Sequence, residues 1–184
     1  LGSANYLGVT DVRFLDFSDG GFYEEKDMCR AIAQVIGDFK PQVIFAPDPC
    51  VSSECHVDHL NVGNVIRRLA YVAPYQGIMK EYGASVAPVE ALAYYMTAKL
   101  TRFVGTTGFF TRQCRSIQHF HKSQFFDLSS GYETEVSGKG DFATIELYLR
   151  LRALDFGIKS GHLLAEGFRV LGRTHMHCLP EAGK

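Results

Sequence analysis

At 184 residues, with 46% hydrophobic and 21% charged side chains, the chain is long enough for one globular domain and marginal for two. A net charge of −1 argues against a broad electrostatic grip on nucleic acid. No apolar run approaches the roughly 20 residues that span a bilayer.

Five scattered cysteines, Cys29, Cys50, Cys55, Cys114 and Cys178, form no CxxC pair. They read as the reduced thiols of a cytoplasmic protein rather than a disulfide framework. A first residue of Leu1 rather than Met is expected of a processed or partial chain.

In chain order, Asp11 to Phe17 alternates as a strand does, and Ser18-Asp19-Gly20-Gly21 is a turn. From Glu24 to Phe39, apolar residues at Met28, Ala31, Ile32, Val35, Ile36 and Phe39 follow a helical period, and Lys40-Pro41 stops it. Gln42 to Ala46 is continuous enough for a strand buried on both faces. Strand, helix and strand with short connections imply a right-handed crossover and a parallel sheet. A helix is expected from about Val57 to Tyr71, burying Val62, Val65, Ile66 and Leu69.

Further on, Val89–Met96 and Arg102–Val104 look like strands, as a hairpin or an edge addition. Thr111–His121 suits a helix, and the Gly/Ser-rich stretch 128–140 suits a loop. Asp141 is placed to cap a helix running to about Phe156, with Gly157 and Gly161 ending it. No repeat or internal boundary divides the chain, so the expectation is a single domain over 1–184.

The chemistry concentrates in Glu54-Cys55-His56-Val57-Asp58-His59, just after the apolar run and Pro47-Asp48-Pro49. Open α/β sheets put their ligands at the carboxyl ends of strands, where this segment falls. His56 and His59, three apart, share one face of a helical turn. Imidazoles beside a carboxylate suit zinc or a similar divalent ion, and Asp58 suits the orienting of a ring as well. The plainer reading is a set of polar residues opening a helix. Cys50 and Cys55 with the two histidines match the usual zinc-knuckle spacings poorly. The tail His175-Met176-His177-Cys178 fits a polar terminus equally well.

Several segments, in order, resemble the LmbE-like or PIG-L de-N-acetylases. They are Leu7-Gly8-Val9 through Asp19-Gly20, Lys40 to Pro47, His56-Val57-Asp58-His59, His121 to Phe125, and Arg152–Gly157 with Ala165-Glu166-Gly167-Phe168. The resemblance implies a Rossmann-like α/β fold, its mostly parallel sheet flanked by helices, and a zinc-dependent hydrolase. Such an enzyme removes the N-acetyl group from an N-acetylglucosamine-type sugar conjugate.

By this resemblance His59 is the metal ligand and His56 the catalytic residue that stabilises the developing oxyanion or protonates the leaving amine. Asp58 orients a histidine. Asp19 suits either hydrogen bonds to sugar hydroxyls or a plain turn, and His121, at a helix end where an imidazole suits the dipole, serves either structure or substrate. Glu166 is expected in an ion pair or at the sugar pocket. The family's opening strand, with a His-Pro-Asp-Asp motif giving two ligands and the base, has no counterpart here, so the remaining zinc ligands are expected upstream. The expected partner is a small amino-sugar substrate, with no nucleic acid and no membrane span, and homo-oligomerisation is left open. The alternative is an inactive sugar-binding or scaffold member of the same fold. A nucleotide-binding Rossmann domain is disfavoured, because no GxGxxG follows a strand.

Overall fold

A computed structural model describes residues 1–121 and 142–177. Its elements are α1 (Gly2–Leu7), α2 (Glu25–Phe39), β1 (Val43–Pro47), α3 (Val57–Val72), α4 (Gln76–Glu81), β2 (Ala91–Tyr95), β3 (Arg102–Gly105), α5 (Phe110–Phe120), α6 (Phe142–Ser160) and β4 (Ala165–Gly172). The strands form one sheet in the order β1-β2-β4-β3. β1 runs parallel to β2, from Val43 opposite Ala91 to Pro47 opposite Tyr95. β4 runs antiparallel to β2, from Gly172 opposite Ala91 to Arg169 opposite Tyr94.

The α/β layer with flanking helices is therefore present, and its sheet is mixed rather than mostly parallel. The chain divides into two compact units, one of Leu15–Arg102 and Gly167–Lys184, the other of Leu1–Phe14 and Phe103–Glu166.

In the first unit, α2 and α3 bury their apolar stripes against the sheet. Met28, Ala33 and Ile36 of α2 join Val65, Leu69 and Ala70 of α3, Leu92 and Tyr94 of β2, and Leu171 of β4 in a single core. Acidic Glu25 and Asp27 sit in the first turn of α2, where the helix dipole favours negative charge. Its end is set by Lys40, which adopts a left-handed φ of 50° while its amide donates to the Ile36 carbonyl at 2.8 Å. Pro41, with no amide hydrogen, follows.

α3 lies close on β1 because Gly63 faces it. A Cβ at that position would stand 2.6 Å from the Pro47 carbonyl oxygen, so no side chain fits without moving the helix. An apolar cavity of about 320 Å³ opens beside β1, lined by Leu15, Ile36, Phe39, Val43, Phe45 and Ile66 among others.

Three readings from the sequence need correction here. Asp11–Phe17 forms no strand, because an alternating segment needs a ladder partner and none pairs with it among the described residues. The expected crossover from it to β1 therefore does not form; the parallel pair observed is β1 with β2, joined through α3 and α4. β1 itself is not buried on both faces. It lies at the end of the strand order, with Val43 45% and Phe45 58% exposed.

β2 and β3 are not a hairpin, since β4 lies between them. The short helix α4 and the strand β4 were not expected.

In the other unit Phe110 and Cys114 of α5 pack with Ala153 of α6 and with Leu164. α6 continues through Gly157 to Ser160 and stops at Gly161, whose φ is +75°. Gly157 sits inside the helix where only glycine fits, since a Cβ would lie 2.6 Å from both the His162 and the Leu163 carbonyl oxygens. Glu166 accepts a hydrogen bond from Gln113 at 2.5 Å rather than forming the expected ion pair. The expected loop 128–140 and the Asp141 cap lie outside the described residues. No described helix is long and apolar enough to cross a membrane.

Candidate active site

The loop from Asp48 to His56 leaves the carboxyl end of β1 and delivers the two histidines to the start of α3. Its root is a buried polar cluster. The Asp48 carboxylate accepts from Thr97 Oγ1 at 2.6 Å, from the Cys50 amide at 2.9 Å, and from Arg169 Nη1 at 2.9 and 3.1 Å. Burial works to raise the pKa of Asp48, but these donors outweigh it and hold the group below the ordinary carboxylate value. Further along, the Glu54 amide donates to the Val51 carbonyl at 3.1 Å, which turns the chain towards α3.

His56 is the N-cap of α3, and its backbone is extended. One helical turn brings the His59 ring beside it, stacked at 4.5 Å between centroids with the planes 17° apart. The His56 Nδ1 lies 3.7 Å from Asp58 Oδ2, and its Nε2 lies 3.9 Å from Asp19 Oδ1. These distances suit an ion pair with an imidazolium rather than a close hydrogen bond. His59 Nδ1 is 3.0 Å from Glu54 Oε2, while Glu54 Oε1 accepts from the His56 amide at 2.8 Å. The two donors, His59 first, hold Glu54 below the usual carboxylate range.

Asp58 points back to the turn that precedes α2. It accepts from the Tyr23 hydroxyl at 2.7 Å and from the Gly20 and Gly21 amides at 2.7 and 3.0 Å. Those bonds, that of Tyr23 foremost, keep the Asp58 carboxyl far below its normal pKa. Tyr23 also accepts from Asn61 Nδ2 at 3.2 Å, and burial together with the Asp58 bond raises its own pKa. Gly20 and Gly21 take φ of 88° and 79°, which lets both amides face one carboxylate.

The fold thus brings Asp19, His56, Asp58 and His59 into one cluster within the first unit. His121 follows α5 in the other unit, half-buried, with its amide donating to the Ile117 carbonyl at 3.0 Å. Glu54 and Tyr23 carry no role in the sequence reading. Glu54 stands in the quoted hexapeptide and signals itself only by lying five residues before His59, whereas nothing local marks Tyr23.

Among the described residues, Asp19, His56 and Asp58 form the group of donor atoms close enough for a metal ion, all within 4.8 Å of one another. Asp58 is poorly suited to be a ligand, because both its oxygens already accept hydrogen bonds. His59 is outside that group. It is well suited as one ligand, with a carboxylate on Nδ1 and no hydrogen bond to Nε2 among the described residues. No cysteine belongs to the donor group, and Cys55 Sγ instead approaches the Ser53 carbonyl at 3.7 Å. In the tail, the His177 ring lies against Tyr71 at 5.2 Å.

Residues 1–70 match the family model described as PIG-L, GlcNAc-PI de-N-acetylase. Along 98% of its length the chain is 28% identical to a diacetylchitobiose deacetylase of Thermococcus kodakarensis, spanning 64% of that protein. The first 70 residues are thus similar to the PIG-L family, and nearly the whole chain is similar to a diacetylchitobiose deacetylase.

Among solved structures, the N,N'-diacetylchitobiose deacetylase of Pyrococcus horikoshii superposes with a TM-score of 0.78 over 97% of this chain and 63% of that one, at 24% identity. The 4-carboxy-2-hydroxymuconate hydratase GalB of Pseudomonas putida shares the fold with a TM-score of 0.67 at 14% identity, over 99% of this chain and 70% of that one. The chain spans less than two thirds of the length of the deacetylases it matches. The hydratase shows that this fold is not tied to one chemistry.

Proposed function

We propose that this chain belongs to a metal-dependent hydrolase that removes the acetyl group from an N-acetylglucosamine-type sugar. The observation that carries the reading is the stacked pair His56 and His59 at the head of α3, with the carboxylates of Asp58 and Asp19 flanking His56. The resemblance to diacetylchitobiose deacetylases supports the substrate class.

His59 would hold the metal, zinc in this reading, through Nε2. One imidazole does not hold zinc firmly, so further ligands are required beyond the described set. When bound, such an ion polarises the amide carbonyl and lowers the pKa of a coordinated water.

The chain's own residues do the rest. His56, exposed and beside the metal ligand, donates to the oxygen that gains charge as water adds to the amide. The same ring is placed to pass a proton to the amine as the C–N bond breaks, giving acetate and a free amino sugar. Asp58 fixes the Ser18–Gly21 turn against α3 and so sets where Asp19 stands relative to His56. Asp19, 88% exposed, is free to accept hydrogen bonds from sugar hydroxyls.

The test is metal analysis of the full-length protein together with acetate release from N-acetylglucosamine glycosides, diacetylchitobiose included. Bound zinc with acetate release is the expected result. A full-length protein that takes up no divalent metal and releases no acetate from any of them overturns the proposal.

A further inference from the structure

Two residues before α3, Glu54 touches both histidines with one carboxylate. Oε1 accepts the backbone amide of His56, the N-cap of the helix, and Oε2 lies 3.0 Å from the His59 ring at Nδ1. A carboxylate has no proton to give, so the ring nitrogen facing it must carry one. The partner on one ring nitrogen decides which nitrogen keeps its lone pair. The neutral His59 ring is therefore left with its lone pair on Nε2.

The carboxylate is itself well held. Only 16% of the Glu54 side chain is exposed, and its backbone amide is tied to the Val51 carbonyl at 3.1 Å. Two bonds from one side chain fix both the helix start and the His59 ring, so that ring cannot turn without breaking a contact.

We propose that Glu54 is the positioning residue of the site: it locks His59 in the Nδ1–H tautomer and fixes the helix start that aims both rings. The proposal rests on the reading of His59 as the metal ligand, for which that tautomer is the competent one. Carboxylate partners of ligating histidines set ring orientation and basicity, and their removal costs about 10–100-fold in metal affinity.

The test is long-range ¹⁵N–¹H correlation NMR of the metal-free full-length protein, which distinguishes the two imidazole tautomers directly. The wild type is expected to show His59 protonated at Nδ1. Glu54→Ala is expected to move the ring towards the Nε2–H form and to weaken zinc binding, measured by chelator competition, by about 10–100-fold. Glu54→Gln keeps one acceptor oxygen for the two donors that Glu54 serves, so it is expected to fall between the wild type and Glu54→Ala in both Nδ1–H signal and affinity, a grading that a general loss of packing would not give. A wild-type His59 protonated at Nε2, or an unchanged tautomer in Glu54→Ala, overturns the proposal. Because the tautomer is read without metal or substrate, these outcomes are separate from a failure of the deacetylase reading, which shows as absent metal uptake and absent acetate release.

Discussion

Arg169 reaches past the intervening strand to Asp48, its Nη1 lying 2.9 and 3.1 Å from the two carboxylate oxygens, and both side chains are buried. Losing one partner leaves a charge buried without its counterion. Asp48→Leu and Arg169→Met are each expected to destabilise the fold by about 3–5 kcal/mol. The double variant is expected to lose less than the sum, because an apolar pair replaces an ion pair at modest cost. Urea denaturation of the four proteins gives the coupling, and additive losses would show that the pair does not act as a unit.

Acid is expected to loosen the same region. The pKa values of Asp48 and Asp58 are both depressed in the fold, so their contribution is complete above the unfolded carboxylate value, about pH 4. It declines as the pH falls through the folded values. Amide hydrogen exchange at Gly20 and Gly21 reports on Asp58 alone. Asp58→Asn keeps one acceptor oxygen and turns an amide nitrogen towards the other donor, so at neutral pH protection is expected to be lost at one of the two glycine amides, and kcat/KM to fall about 10-fold or more. Protection undiminished at both glycine amides in Asp58→Asn would refute the tether.

The two histidines are expected to fail differently. His59→Ala loses bound metal along with activity, measured by metal content after dialysis. His56→Ala keeps its metal while kcat falls by about 10²-fold or more. Full turnover in His56→Ala would exclude it from the chemistry, and a His59→Ala protein with both metal and activity would exclude that residue as the ligand.

Gly63 sets the distance between the site helix and its strand. Gly63→Ala places a methyl 2.6 Å from the Pro47 carbonyl oxygen, a backbone atom that cannot swing aside. The expected loss is about 1–3 kcal/mol, despite the better helix propensity of alanine. A thermal midpoint equal to or above that of the parent would show that α3 can shift without penalty.

Much of this architecture was legible in local patterns. The period of Met28 to Ile36 announced α2, and Lys40-Pro41 announced its end, because helix burial and helix termination are short-range effects. The histidine spacing likewise placed His56 and His59 side by side at the head of α3. What stayed hidden depends on partners far along the chain. Asp11–Phe17 alternates as a strand does, yet pairing requires a neighbour that its own residues do not specify. The Asp48–Arg169 pair joins residues 121 positions apart, and neither shows a spacing that predicts the other. Tyr23 meets Asp58 only because a glycine turn folds back onto α3. Glu54 was visible in the motif, but its grip on His59 depends on the path of the loop rather than on helical periodicity.

The outer side of β1 carries a practical consequence. Val43 and Phe45 stand largely uncovered beside an apolar trough, and no strand pairs with that side among the described residues. A backbone ladder open on one side and fringed with greasy side chains is a template for foreign strands. Concentrated preparations of this chain will therefore favour intermolecular β-association nucleated at Val43–Pro47, and a lysine at position 45 is the simplest substitution to suppress it.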